Sequence, residues 1–544
     1  MPCSNAGVCP GLWFINSDPD FLAGDVQASP RRTSTSSIRS HLNSQPYPIM
    51  ASNGANGAHA PVPAFNTSST IPLWLDGKEV KLSSTFDVVS PLDQKTLYKC
   101  SSADEEDVHK AIAAAEKAFT TWSKTKPNFR RDIFLRAADE FKNRRDELKH
   151  YSYSETGAAE SMFAFEHNLA YEACKSVAGL IQVASTSTMP VVAEEGANAM
   201  LVKEPYGVVL GIAPWNAPYV LGLRACLQPL AMGNTVILKG PEAAPATYWA
   251  IASILHAAGL PAGCLNTIYH RPADAAKVTS ALISHPAIKK INFTGSTGVG
   301  AIIASQAGKY LKPTVMELGG KAPSIVCDDA NISTAALQCA LGAFLHAGQI
   351  CMSTERIIVH EKVADQFREA LKQTMDHVFA EAPDGMGVPQ LVTSAPVLKN
   401  KKLLEDALAK GARAVYGDPR HAEASATRMR PVVIENVTPT MDIYHTESFG
   451  PTVSLYVVRD DAEALALAND TDYGLASAVF TEDLRRGLRL ARQIESGAVH
   501  INGMSVHDEP ALPHGGVKKS GFGRFNGVPG LEEWVRSKVI TWKD

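Results

Sequence analysis

The chain has 544 residues, 45% hydrophobic and 20% charged, which gives about three domain-sized units and a core that needs neither disulfides nor a structural metal. Lys and Arg number 52 against 56 Asp and Glu, a net charge of −4 that argues against a protein gripping nucleic-acid phosphates. Nine cysteines without a C-x-x-C pair argue against a zinc ribbon or thioredoxin-type site and fit free thiols in a reducing compartment, and no run of about 18 apolar residues marks a membrane span.

Residues 1–70 hold fifteen Ser or Thr, eight Pro and no Lys or Glu, a composition expected to stay disordered. A secretory signal needs a basic start and an apolar stretch, and both are missing. Arg31, Arg32 and Arg39 leave a mitochondrial leader open beside a cytoplasmic setting, and three Asp upstream weigh against the leader. Met50 is a second candidate start.

Regular patterning begins near Ile71. DEEDVHKAIAAAEKAFTTWSK predicts a helix burying Val108, Ala111, Ile112, Ala115, Phe119 and Trp122, with Asp104 to Asp107 in its first turn, where the helix dipole favours acids. Residues 207–213, 234–240, 289–295 and 321–329 read as buried strands, and 245–259 as a helix ending at Gly259. This alternation implies parallel β-α-β units. A second alternating region runs through 355–361, 453–458, 474–480 and 497–503.

Several strand ends carry chemistry. FTGSTGVG (293–300), with Gly295 and Ser296, admits both a tight turn and an anion site at a helix N-terminus, since its G-x-x-G-x-G order departs from the dinucleotide fingerprint. Cys351, in HAGQICMSTER, reads as a buried small residue or as a thiol exposed on a turn. Glu317, in MELGGK, reads as a surface carboxylate or, with two glycines allowing close backbone approach, as a general base. Asn216, in PWNAP, reads as a helix cap or an oxyanion donor. Lys239 and Glu242 end a further strand, where doubly wound sheets bind ligands, and Glu447 and Phe449 lie in TESFGP.

Taken together, PWNAP, FTGSTGVG, MELGGK, GQIC, ESFGP and GGVKKSGFGR resemble the aldehyde dehydrogenase superfamily in order, spacing and wording, from about residue 71 to the C-terminus. The wording of APWNAPYVLGLRA, GQICMSTER and INGMSVHDEPALP is closest to the salicylaldehyde, vanillin and benzaldehyde dehydrogenase branch. The resemblance implies an α/β fold with a Rossmann-type cofactor domain (71–184 and 206–319), an α/β catalytic domain (320–520) and a small β oligomerisation arm (185–205 and 525–544) serving a homodimer or homotetramer. It implies Cys351 as nucleophile, Asn216 as oxyanion donor and Glu317 as the base that activates water. It also implies Lys239 and Glu242 at the adenosine ribose, Gly295 and Ser296 at the pyrophosphate, and Trp215, Glu447 and Phe449 around the nicotinamide. A carboxylate at Glu242 favours NAD over NADP.

Two residues depart from the family wording: His346 stands where Asn is usual, and His514 stands where a tunnel-wall Phe is common. With Arg224, typical of the branch, His514 predicts a substrate wall polar enough for a hydroxylated aromatic aldehyde. A semialdehyde dehydrogenase, with Arg224 or His514 binding a distal acid, is the near alternative. A thiol esterase or non-catalytic relative is the distant one. No metal, nucleic acid or membrane is expected as a partner.

Overall fold

Runs of Val, Ile and Leu bounded by Gly, Pro and Asn form the centre of the fold, and they are buried on both faces. In the computed structural model, which describes residues 70–379 and 387–543, Val208–Ile212, Thr235–Lys239 and Ala322–Val326 are buried at every position. Such continuous apolar strands suit parallel sheets covered by helices on either side. The expected disordered segment 1–70 lies outside the described residues except for Thr70, as do Met50 and the leader question.

The first sheet has eight strands. Its parallel centre runs Thr314–Glu317, Ile288–Thr294, Val208–Ile212, Thr235–Lys239, Leu265–Ile268 in spatial order. Gly521–Phe522 adds antiparallel at one edge, and the hairpin Leu73–Leu75 with Lys78–Val80 closes the other. Because the central strands are parallel, their C-terminal ends share one edge. Asn216, Lys239, Ser296 and Glu317 all follow from or end those strands.

The second sheet has seven strands, in the order Arg413–Tyr416, Val432–Glu435, Thr452–Val458, Thr354–His360, Ala322–Val326, Ala478–Phe480 and His500–Ile501. All its pairs are parallel except the first. The chain crosses from the first sheet to the second through Leu318–Lys321, so Glu317 leaves one sheet just before the other begins.

The helix Glu105–Trp122 starts at an N-cap Asp104 whose side chain accepts from Glu106 and Asp107 N–H, with Asp107 returning the bond. It buries Val108, Ala111, Ile112, Ala115 and Trp122, whereas Phe119 is only partly covered. The strands Ala197–Pro205 and Val535–Lys543 pair with each other as an antiparallel ribbon. Phe525, Leu531 and Trp534, just before the second of these, are buried in the core of the first sheet.

Candidate active site

Two loops meet between the sheets. The first, Leu318–Lys321, has glycines because nothing larger fits. A Cβ on Gly320 would stand 2.2 Å from the Cys351 carbonyl oxygen, and one on Gly319 would stand 2.4 Å from Glu447 Oε2. The second loop carries Cys351. His346, Ala347 and Gly348 adopt positive φ values of 50°, 59° and 73°, which end the helix Ile332–Phe344 and turn the chain. Gln349 then pins the turn: its Nε2 donates to the carbonyls of His346 (3.0 Å) and Gln390 (3.2 Å), and its Oε1 accepts from Val392 N–H (3.0 Å).

Seven cysteines lie among the described residues. Six are fully buried, and Cys351 alone of these keeps partial exposure. Its Sγ donates to Glu317 Oε1 at 3.0 Å. Glu317 is the last residue of its strand and only 1% exposed, so the reading as a surface carboxylate gives way to a buried one. Burial pushes the Cys351 thiol well above its usual range, and the adjacent Glu317 carboxylate adds to the shift. Burial also pushes Glu317 up, but His514, Cys351 and Arg224 together hold it below the usual carboxylate range. At rest the proton therefore sits on sulfur.

Asn216 does not cap the helix Pro218–Ala231, whose N-cap is Ala217. Its Nδ2 instead donates to the Gln349 carbonyl at 2.9 Å, two residues before Cys351. An amide NH2 has two donors, so one remains for an oxyanion. Glu166, fully buried on the helix Glu160–Ala184, accepts from Tyr219 N–H at 3.4 Å and covers that helix start instead.

Toward the other side of the crevice, the Trp215 ring meets Phe449 edge-on at 6.2 Å and lies 6.4 Å from His346. Burial pushes His346 down to about 4, so it is a neutral ring near neutral pH. Glu447 Oε1 accepts from Gly320 N–H at 2.9 Å, and burial raises its carboxyl to about 7. The loop bearing Glu447 and Phe449 is held by a buried pair that sequence reading passed over. Lys321 Nζ lies 2.6 Å from Glu355 Oε2, and Glu355 accepts from the N–H groups of Ser448 and Phe449.

The helix Thr297–Lys309 begins at Ser296 without a side-chain cap, and a Cβ on Gly298 would meet no atom. Free N–H groups facing open space fit an anionic diphosphate. Lys239 is buried with its Nζ 4.0 Å from the half-exposed Glu242, so a ribose could be held between an ammonium and a carboxylate. These residues fit a dinucleotide.

Arg224 and His514 converge on a residue absent from the sequence-level candidates, Asp508. The Arg224 guanidinium pairs with Asp508 Oδ2, and both side chains are buried. His514 lies between two carboxylates, with Nε2 3.6 Å from Glu317 Oε1 and Nδ1 3.9 Å from Asp508 Oδ1. The only hint in sequence was HDE in INGMSVHDEPALP, which carried no chemistry until the fold brought it to Arg224.

The pattern that defines the aldehyde dehydrogenase family matches residues 76–540, and the chain belongs to that family. It is 42% identical to a vanillin dehydrogenase from Pseudomonas sp. over 87% of this chain and 97% of that protein. It is 35% identical to an NAD(+) benzaldehyde dehydrogenase from Pseudomonas putida, over 84% and 92%. Its fold superposes on the crystal structure of a Pseudomonas putida salicylaldehyde dehydrogenase complexed with salicylaldehyde, with a TM-score of 0.84 at 35% identity, covering 88% of this chain and 98% of that one. The protein is an aldehyde-oxidising dehydrogenase with the two-domain α/β fold of that family.

Proposed function

We propose that the chain oxidises a hydroxylated aromatic aldehyde to its carboxylic acid, with NAD as oxidant, through a covalent adduct on Cys351. The contact between Cys351 Sγ and Glu317 Oε1 at 3.0 Å, with Asn216 fixed beside the same loop, carries this reading. Glu317 takes the thiol proton as sulfur attacks the aldehyde carbon. The Asn216 amide and the Cys351 N–H then face the tetrahedral oxyanion. A bound nicotinamide supplies the hydride acceptor that turns the adduct into a thioester. Once Glu317 has given up the thiol proton to solvent, it takes a proton from water as the water adds to the thioester carbon. Collapse breaks the C–S bond and releases the acid.

The aromatic substrate class is supported by the vanillin, benzaldehyde and salicylaldehyde enzymes the chain is similar to. A semialdehyde reading needs an unmatched cation for the distal acid, and Arg224 is already matched by Asp508. Glu242 favours NAD, since its carboxylate repels a 2′-phosphate. A homodimer or homotetramer formed through the ribbon of Ala197–Pro205 and Val535–Lys543, and a reducing cytoplasmic setting for the free thiols, belong to the same proposal.

A kinetic panel of benzaldehyde, hydroxylated benzaldehydes, aliphatic aldehydes and a semialdehyde acid, each with NAD and NADP, tests it. The expected result is the highest kcat/KM for a hydroxylated benzaldehyde with NAD. A preference for the semialdehyde acid or for NADP would overturn the substrate or cofactor assignment.

A further inference from the structure

Glu317 is a buried carboxylate that collects a proton in every turnover and must lose it again. Its Oε2 has no hydrogen-bond partner among the described residues, and its Oε1 meets Cys351. Among those residues, His514 is the cation-capable side chain within ion-pair distance of it. His514 is itself 8% exposed and is held by two backbone bonds to Phe525, each 2.8 Å. On its far side stands Asp508, fixed by Arg224 on one oxygen and by Asn526 Nδ2 at 2.9 Å on the other. Asp508, Arg224 and Asn526 line a crevice shared with Leu169, Val220 and Pro510. The order is base, imidazole, oriented carboxylate, open space.

We propose that His514 is a positioning residue for Glu317 that also carries the base's proton out of the reaction centre, with Asp508 orienting it. This rests on the assignment of Glu317 as the base. The ring cycles between two forms: protonated, it donates from Nε2 to Glu317 and holds that carboxylate ionised, and neutral, it keeps its proton on Nδ1 towards Asp508 and turns the Nε2 lone pair to Glu317. After Glu317 has taken a proton from the thiol or the water, its O–H bond breaks and the proton bonds to Nε2. Asp508 stabilises the resulting imidazolium, as a carboxylate does for a histidine acting as general base. The Nδ1 proton then passes by way of Asp508, which lines the crevice, to water there, and no electrons move in this transfer. Separations of 3.6 and 3.9 Å are those of a resting site whose bonds shorten when the proton arrives. A phenylalanine at this position offers no such route and leaves Glu317 to release its proton elsewhere.

The charged groups facing the ring are Glu317 and Asp508, with Arg224 acting on both carboxylates, His507 on Asp508, and His500 close enough to the ring to matter electrostatically. Burial holds His500 down at about 4, so it stays neutral across the range of the test.

The test compares wild type with His514→Phe, His514→Gln and His514→Ala. Alkylation of Cys351 by iodoacetamide against pH needs neither aldehyde nor cofactor, so it reads the network even if the substrate assignment fails. The expected result is an inflection moved upward by about one pH unit in the Phe and Gln variants. In turnover, kcat at neutral pH falls about ten-fold or more in both, with the KM for NAD unchanged, and free imidazole restores the Ala variant. Gln is close to His in size and can still donate its amide N–H to a carboxylate, but it cannot accept the proton, so loss in Gln separates proton transfer from packing. Wild-type alkylation profiles in Phe and Gln, together with an Ala variant indifferent to imidazole, would overturn the proposal.

Discussion

Cys351 and Glu317 hold one proton between them, and the direction in which each is shifted decides what a substitution does. The thiol is pushed up by burial and by Glu317, and the carboxyl is held down against burial by His514, Cys351 and Arg224. Removing the nucleophile as Cys351→Ala is expected to abolish reduced-cofactor formation while dinucleotide binding, measured by calorimetry, persists. Glu317→Gln keeps the shape but not the base. Deacylation should slow by about 10²–10⁴-fold, so that intact-protein mass spectrometry after one aldehyde addition shows a persistent acyl adduct on Cys351. Release of acid at the wild-type rate would remove Glu317 from the mechanism. At Asp508 the same reasoning concerns stability. Its loss strands the buried Arg224 guanidinium, so Asp508→Ala is expected to cost about 3–5 kcal/mol in denaturant melts, whereas replacing Arg224 and Asp508 together with apolar residues should cost much less.

At the scale of elements, catalysis depends on the close approach of two loops. A methyl group on Gly320 would collide with the carbonyl oxygen of Cys351, which is backbone and cannot swing aside. Gly320→Ala should therefore displace the nucleophile from Glu317 and lower kcat by about 10²-fold, an effect of misplacement alone. A melting temperature close to wild type with kcat unchanged would show that the loops can part without loss. The glycines, Cys351, Glu317 and Asn216 stood out because each lies in a short local motif, but their meeting, Cys351 with Glu317 and Asn216 with the Cys351 loop, is made by the fold from distant parts of the chain. The strands at 207–213, 234–240 and 289–295 were legible for the related reason that burial on both faces leaves an unbroken apolar run. By contrast, GLASAVF keeps only Ala478–Phe480 as strand, because Gly474 N–H is taken by Ser520 Oγ at 2.9 Å and Ser477 Oγ turns to the Ala498 carbonyl. Asp508 was invisible because its partner Arg224 lies 284 residues away, and Glu355 because its charge is matched only after Lys321 arrives from the loop between the two sheets.

At the scale of the whole molecule, the ribbon of Ala197–Pro205 and Val535–Lys543 has only two strands and exposes Val539, Ile540 and Trp542. Two strands alone are marginal in water, so the proposed assembly has the ribbon covered by another copy. Ile540→Asp is expected to shift the species seen by light scattering toward the monomer, and an unchanged mass would place the interface elsewhere.

Stability against pH tests the folded chain as a whole. Burial raises the carboxyls of Glu155 and Glu447 to about 7 and of Glu166 to about 8. A carboxyl raised on folding binds more protons in the native state, so its contribution is present below the ordinary carboxylate range and is lost as pH rises through the folded value. Burial lowers His270, His346 and His500 to about 4, and the sign reverses. The unfolded chain binds more protons there, so stability rises with pH between about 4 and the ordinary histidine value near 6.5. The two sets oppose each other between about pH 4.5 and 6.5, and only the glutamates remain active between about 6.5 and 8. The expected profile is a plateau of melting temperature up to about pH 6.5, followed by a fall toward pH 8. Glu155 accepts from Ala246 N–H on one oxygen and Thr247 N–H on the other, so a glutamine there would keep only one of these bonds, whereas at Glu166 a glutamine carbonyl can accept from Tyr219 N–H while its NH2 donates to the Ser152 hydroxyl. The variant Glu166→Gln should thus fold and flatten the fall above pH 6.5. A slope unchanged from wild type would assign it to other groups.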